Sequence, residues 1–367
     1  MAGIYIHVPF CKLKCSYCDF YSIARSDMAG PWAEAVIAEY AARREELGGE
    51  AIKTIYFGGG TPSLLDGKLL RDIAEALPRG DVEEFTIEAN PDDVTEAKTA
   101  EWLACGVNRV SLGVQSLVDS ELQAVRRRHD AATALRAIDT IRRAGIANIS
   151  ADLIYGLPWQ TPDSFRHSLE KLLTTGITHL SAYCLSFEEG TLLWRQREDG
   201  RVAEATDETI EEMYGILCRT AAEAGFGHYE ISNFALPGKE SRHNSAYWNG
   251  TPYIGLGPGA HSLGADGMRR YNDADVRAYI AAPASTLHVD PETAADRIND
   301  MIMISLRTAK GLDVNSIPEA HGVRNEVMTA AEKHMRLGNL VGTAEGHMRI
   351  KEQRWLLADA VIRDLII

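Results

Sequence analysis

The sequence predicts an α/β protein built on an incomplete (β/α)6 TIM-like barrel, and three observations carry that prediction. Six short segments of apolar character recur: Ile4–Val8, Thr54–Phe57, Phe85–Ala89, Arg109–Val114, Ile149–Tyr155 and His179–Ser186. Near-continuous apolar runs of this length are expected of parallel strands covered on both faces. The stretches between them, Trp32–Leu47, Leu69–Leu77, Glu96–Cys105, Ala132–Ala144 and Pro162–Thr174, carry apolar residues at three- and four-residue spacing and so predict helices. Gly106, Gly145 and Gly176 stand where the glycine that ends a helix belongs. Strand–helix alternation repeated in this way gives a parallel sheet, and in such barrels the chemistry sits at the C-terminal ends of the strands.

After Ser186 the rhythm changes. Gly190–Gly200 reads as a linker with a charged turn, Ala203–Ala224 as a long helix and Tyr229–Phe234 as a strand. A Gly/Pro-rich passage, Gly250–Gly267, precedes another helix at Pro291–Arg307. The end reads helix (Asn325–Leu337), short hairpin (Asn339–Val341 and His347–Ile350), helix (Gln353–Ile366), a winged-helix-like order. The expected division is a barrel core over 1–189, an extension over 190–290 and a C-terminal winged-helix-like domain over 291–367.

Composition excludes several classes. Apolar residues are 45% and charged residues 25%, a globular mix. Net charge is −14, which repels phosphate backbones and argues against nucleic acid as a partner. From Arg324 onward seven basic residues face six acidic ones, so no basic stripe exists to grip DNA. No apolar run approaches the roughly 18 residues of a membrane span, and Met1–Tyr5 does not open a signal peptide. The expectation is a cytoplasmic protein.

Of six cysteines, Cys11, Cys15 and Cys18 crowd together directly after the first strand, while Cys105, Cys184 and Cys218 are scattered. Thiolates are soft ligands suited to iron–sulfur clusters or zinc. Structural zinc takes four protein ligands, usually as two close pairs, and no partner pair follows here. Three ligands on a four-iron cluster leave one iron open to a small chelating molecule. The C-x3-C-x2-C spacing, with Tyr17 before the last cysteine, resembles the signature of the radical S-adenosylmethionine (radical SAM) superfamily. That resemblance implies a [4Fe-4S] cluster on Cys11, Cys15 and Cys18, with S-adenosylmethionine chelating the open iron and yielding a 5′-deoxyadenosyl radical on reduction. Gly58-Gly59-Gly60-Thr61-Pro62 at the end of the second strand resembles the element that holds the methionyl amino group in that superfamily, since bare glycine backbone allows close approach.

Tyr5–Cys11, Gly58–Pro62, Gly113–Ser116 and Asp152–Pro158 are similar to the group of oxygen-independent coproporphyrinogen III oxidase (HemN) and its relatives. Carried over residue by residue, the resemblance implies S-adenosylmethionine contacts at Tyr5, Gly59, Gly60, Thr61, Glu88, Gln115, Arg127, Asp152 and Ile154. Two departures argue against coproporphyrinogen decarboxylation. Phe20 stands where the oxidase has a fourth cysteine, and the oxidase carries an N-terminal extension whereas the first strand here begins at Ile4. Arg242-His243-Asn244-Ser245-Ala246-Tyr247-Trp248 instead matches the H-N-x-x-Y-W element of the HemW heme chaperones. Imidazole is a common axial ligand of heme iron, and Tyr and Trp offer flat apolar surface to a macrocycle. The resemblance implies heme contacts at His243, Asn244, Tyr247 and Trp248, with His261 a weaker candidate. It also implies heme transfer to acceptor proteins such as those of the respiratory chain, with peripheral membrane contact. A radical SAM enzyme acting on a porphyrin, as decarboxylase or heme methyltransferase, is the competing expectation.

Overall fold

Six parallel strands form the centre of the protein: β1 (Ala2–Val8), β2 (Ile52–Gly59), β3 (Glu84–Ala89), β4 (Arg109–Gln115), β5 (Asn148–Tyr155) and β6 (His179–Cys184), each hydrogen-bonded to the next. Successive side chains of a strand point to opposite faces. One face of each strand is apolar and buried, as with Ile4, Ile6, Ile55, Phe57, Phe85, Ile87, Val110, Leu112, Ile149 and Leu180. The register places the others level with one another: Tyr5 with Tyr56, Thr54 with Glu84, Ser111 with Ser150, Asp152 with Ser181. This second face is polar and almost fully buried. The expectation of strands apolar on both faces is thereby corrected, because the inward face lines a cavity that a charged ligand can enter.

The computed structural model describes residues 1–25, 27–319 and 322–367. The barrel helices are α1 (Ala29–Arg43), α2 (Gly67–Ala76), α3 (Glu96–Cys105), α4 (Asp119–Ala124), α5 (Ala131–Arg143) and α6 (Pro162–Leu173). Asp66, Thr95, Asp130 and Thr161 cap α2, α3, α5 and α6 by accepting backbone N–H bonds. Gly106, Gly145 and Gly176 take left-handed φ of 96°, 102° and 87° where helices stop, as their positions predict.

The predicted linker at Gly190–Gly200 is in fact a helix, α7 (Leu192–Glu198), capped by Thr191. Leu193 is buried and its N–H bonds to the Ser16 carbonyl at 2.7 Å, so α7 braces the cysteine loop. After α8 (Asp207–Glu223), the single strand predicted over Tyr229–Phe234 is a tight hairpin, β7 (Gly227–Glu230) and β8 (Asn233–Ala235), with β8 against β6. Then follow α9 (Arg242–Asn249), β9 (Tyr253–Leu256), β10 (His261–Leu263), β11 (Arg269–Asn272), α10 (Val276–Ala281) and β12 (Leu287–Asp290). β9 adds in parallel to the free edge of β1, and β10–β12 continue antiparallel. The resulting sheet runs β12-β11-β10-β9-β1-β2-β3-β4-β5-β6-β8-β7, an open barrel of twelve strands. The last part has α11 (Ala294–Leu306), β13 (Leu312–Asp313), α12 (Val323–Arg336), β14 (Leu340–Gly342), β15 (His347–Ile350) and α13 (Ala358–Leu365), with β13-β15-β14 as a separate small sheet. The helix expected from Gln353 begins as a 3-10 turn over Glu352–Leu357. No helix among the described residues is long and apolar enough to cross a membrane.

One buried ion pair fastens β9–β11 to α1. Glu39 accepts from Arg43 Nη1 at 2.5 Å, Asn272 Nδ2 at 2.8 Å, Tyr279 Oη at 2.5 Å and Gly257 N–H at 3.0 Å. Removing one partner of a satisfied buried pair strands the other charge, at about 3–5 kcal/mol. Glu39→Ala is expected to lower the thermal unfolding midpoint strongly, whereas the same change at the exposed Glu50 leaves it within a degree or so.

Candidate metal and cofactor centre

Beyond Val8 the chain crosses the C-terminal mouth of the barrel as the loop that carries Cys11, Cys15 and Cys18. Its path is set by backbone bonds from Cys11 N–H to Ile23 O at 3.0 Å, Ser16 N–H to Val125 O at 3.3 Å and Cys18 N–H to Cys15 O at 3.3 Å. All three thiols are free and half-buried, and they line a cavity of about 460 Å³. That volume lies within the range of about 300–1,000 Å³ usual for small-molecule sites. Burial pushes the Cys18 thiol up to about 11.

Each neighbouring strand end delivers one function to this cavity. Gly60 lies so close beneath the loop that a Cβ there would stand 2.8 Å from the Phe10 carbonyl and 3.1 Å from Cys11 Sγ, so only glycine fits. Thr61 Oγ1 is 3.4 Å from Cys11 Sγ. Glu88, from β3, accepts from Gly59 N–H at 3.1 Å and from Tyr56 Oη at 2.8 Å. Burial pushes its carboxyl up to about 7 against the pull of those two donors. Asp152, from β5, is likewise raised by burial, with the Ser111 hydroxyl donating at 3.3 Å. Gln115 closes β4 in a left-handed conformation, φ 67°, and Arg126 follows at φ 58°. Such strain in non-glycine residues persists where surrounding structure enforces it, commonly at functional sites.

Arg127 ties the mouth together. Its Nη1 donates to Cys15 Sγ at 3.3 Å, and its Nη2 donates to Asn90 Oδ1 at 2.6 Å and to the Gly113 carbonyl at 2.5 Å. Its buried Nε–H has no acceptor among the described residues. The cavity wall thus gathers Cys11, Cys15, Cys18, Gly59, Gly60, Thr61, Glu88, Gln115, Arg127, Asp152 and Ile154. Tyr5 is the exception. It lies below the cavity, its ring 6.0 Å from that of Tyr56 and its hydroxyl 3.2 Å from His7 Nδ1. Sequence reasoning missed Tyr56 and Ser111 as site residues. Strand parity could have found Tyr56 and Ser111, since both share the inward face with Glu88 and Asp152.

The His243 motif is not at the mouth. It forms α9, which docks at the opposite end of the barrel, against Gly3, Thr54 and Glu84 in the first halves of β1, β2 and β3. The Glu84 carboxylate accepts the N–H groups of Arg242 at 2.9 Å and His243 at 3.0 Å, satisfying donors that a helix start leaves open. His243 is buried, with Nδ1 2.7 Å from Thr54 Oγ1 and Nε2 2.9 Å from Tyr247 Oη. Its ring stacks on Tyr56 at 5.0 Å. Burial, with the charge of Arg109 adding to it, pushes the imidazole down to about 3. Both ring nitrogens are hydrogen-bonded, so neither is free for iron in this arrangement. Asn244, Tyr247 and Trp248 are half-buried on the same helix, and His261 is exposed on β10, stacked on Tyr271.

The donor set fits an iron–sulfur cluster: three convergent thiols, a guanidinium beside one of them, and a glycine cradle that a methyl group would fill. The model of the Radical SAM superfamily matches residues 5–172. Heme chaperone HemW of Lactococcus lactis subsp. lactis is 34% identical over 314 residues, spanning 84% of this chain and 82% of that protein. Heme chaperone HemW of Bacillus subtilis is 32% identical over 374 residues, covering 98% of each. Among solved structures, the Escherichia coli coproporphyrinogen III oxidase HemN, described as a radical SAM enzyme, matches with a TM-score of 0.83 at 21% identity over 100% of this chain and 90% of that one, a likeness of fold. The chain belongs to the radical SAM superfamily, and membership implies a [4Fe-4S] cluster and S-adenosylmethionine. Within it, the chain is a member of the HemW heme chaperone family.

Serine in place of Cys11, Cys15 or Cys18 is expected to abolish the visible iron–sulfur absorption of anaerobically reconstituted protein, while serine at Cys105 or Cys184 leaves it. Gly60→Ala is expected to reduce iron content severalfold. Full absorption in any triplet variant would contradict the assignment.

Proposed function

We propose that the chain is a heme chaperone, binding heme and passing it to acceptor proteins, with the [4Fe-4S] cluster on Cys11, Cys15 and Cys18 and S-adenosylmethionine across the strand ends. The observation that carries this is the convergence of three thiols and eight of the nine expected cofactor contacts on one cavity, in a chain about a third identical to HemW proteins over nearly its full length. Bound there, the cluster supplies single electrons to the sulfonium. Glycine backbone at Gly59 and Gly60 with the Glu88 carboxyl suits a cationic amino group, which would draw Glu88 back to its charged form. Thr61 closes the glycine side of the wall, Asp152 and Gln115 suit ribose hydroxyls, Arg127 an anionic carboxylate, and Ile154 the apolar face of a base. Tyr5 acts from beneath, through Tyr56.

Heme belongs to the α9 motif on this reading, with Asn244, Tyr247 and Trp248 offering polar tips and aromatic surface. For His243 to ligate iron, one of its two bonds, that of Nδ1 to Thr54 or that of Nε2 to Tyr247, must break, at about 0.5–1.5 kcal/mol. A neutral imidazole is already the ligating form, so no proton has to leave. The acidic surface fits a protein acceptor and not nucleic acid, and respiratory-chain acceptors, a cytoplasmic location and transient contact with a membrane surface belong to the same proposal. So does the division into 1–189, 190–290 and 291–367.

Heme titration of cluster-loaded protein is the test. One heme per chain with a Soret band is expected, and His243→Ala should shift that band. Thr54→Val, which frees one imidazole nitrogen, should tighten binding severalfold. No heme uptake by intact, cluster-loaded protein would overturn the proposal, and an unchanged Soret band in His243→Ala would remove His243 as ligand.

A further inference from the structure

A second group of metal-ligating side chains lies away from the barrel mouth, where the C-terminal segment meets α8 and the β7–β8 hairpin. Cys218 on α8, His228 on β7 and Glu352 at the start of the 3-10 turn each offer a ligand atom, and the three atoms lie within 4.8 Å of one another. Thiolate, imidazole and carboxylate together form a zinc-type donor set, with one position of a tetrahedron left over.

The imidazole is held as a ligand would be. His228 is sandwiched, its ring parallel to Phe234 at 3.9 Å and met edge-on by Trp355 at 4.1 Å. Its Nε2 stands 3.4 Å from the Ile231 carbonyl. A carbonyl oxygen only accepts, so with Nδ1 on a metal ion Nε2 would carry the hydrogen and donate there, the backbone-anchored pattern usual for metal-bound histidine. Nδ1 faces Glu352 Oε1, 3.1 Å away, where either a hydrogen on Nδ1 or a metal ion can join the two. A proton satisfies that pair and leaves Cys218 outside it. A zinc ion satisfies all three, and with metal–ligand bonds of about 2.0–2.1 Å the N···O separation across a tetrahedral centre is about 3.3 Å, near the spacing seen. Tyr214, one helical turn before Cys218, donates its hydroxyl to the Glu352 carbonyl at 3.1 Å and fixes the main chain beside the site. The Glu352 side chain is 49% exposed, which gives an ion a way in and leaves the fourth position to water.

We infer that Cys218, His228 and Glu352 form a zinc site that clamps the C-terminal segment to the end of the barrel sheet. On binding, the Cys218 thiol loses its proton to solvent as the metal–sulfur bond forms, and water completes the coordination. The site is independent of the cluster and of heme.

The test uses full-length, cluster-loaded protein freed of loose metal with a chelator and titrated with Zn2+ alone. One zinc per chain is expected, with zinc-edge X-ray absorption showing a single sulfur at about 2.3 Å and nitrogen or oxygen at about 2.0–2.1 Å. Cys218→Ala and Glu352→Gln should each weaken uptake at least tenfold, and zinc should slow amide hydrogen exchange over residues 352–357 in the wild type. Glu352→Gln, a change at a partly exposed carboxylate, keeps the test valid if Cys218→Ala folds poorly. Wild-type protein that takes up no zinc, variants that bind it as well as wild type, or an edge showing several sulfurs and so a zinc held by Cys11, Cys15 and Cys18, would each overturn the inference.

Discussion

A parallel sheet with a polar inner face has to find partners for most of the groups it buries, and that constraint organises the rest of this molecule. Outward residues such as Ile6, Phe57 and Leu112 pack under helices and provide apolar burial, while Thr54, Glu84, Glu88, Arg109, Asp152 and His179 face inward. Buried polar groups without partners are costly. The open arc of strands meets part of this cost at its lower end with α9, whose N–H groups satisfy Glu84 and whose His243 engages Thr54, while Thr86 Oγ1 and the Nε and Nη1 of Arg109 have no partner among the described residues. At the upper end the polar groups are left aimed into a cavity, where a charged cofactor is the natural complement. Arg127, with a buried Nε–H that no atom of the described residues accepts, is the clearest case.

The two ends are joined by a continuous column. His243 stacks on Tyr56, Tyr56 donates to Glu88, and Glu88 accepts the Gly59 N–H at the rim. Movement of α9 is therefore not local, since releasing His243 removes the surface on which Tyr56 rests. The same column explains why Gly3 is a glycine: a Cβ there would stand 2.8 Å from Thr54 Oγ1 and 3.2 Å from the His243 ring.

Much of this was legible in the sequence, for reasons specific to each part. The six core strands stand out as short apolar runs alternating with stretches of helical spacing, and the Cys11–Cys18 spacing is a pattern with few other physical uses. Gly106, Gly145 and Gly176 show themselves as helix ends by residue type. What stayed hidden was short or nonlocal. β9–β12 have three or four residues each, too few for a period to emerge, and β9 is a strand only because the free edge of β1 accepts it. α7 reads as a linker because only Leu193 among its residues is fully buried. The burial of His243 could not be read from its neighbours in sequence, since its partners Thr54, Tyr56 and Glu84 lie far away along the chain.

On the proposed reading the cysteine loop supplies three thiolates and no fourth protein ligand, so that one iron is open to S-adenosylmethionine. Electron paramagnetic resonance of the reduced, anaerobically prepared protein, recorded with and without S-adenosylmethionine, reads that open iron. A [4Fe-4S]+ signal whose g-values shift when the cofactor is added is expected. A signal that S-adenosylmethionine leaves unchanged, or iron bound by four side chains, would contradict it.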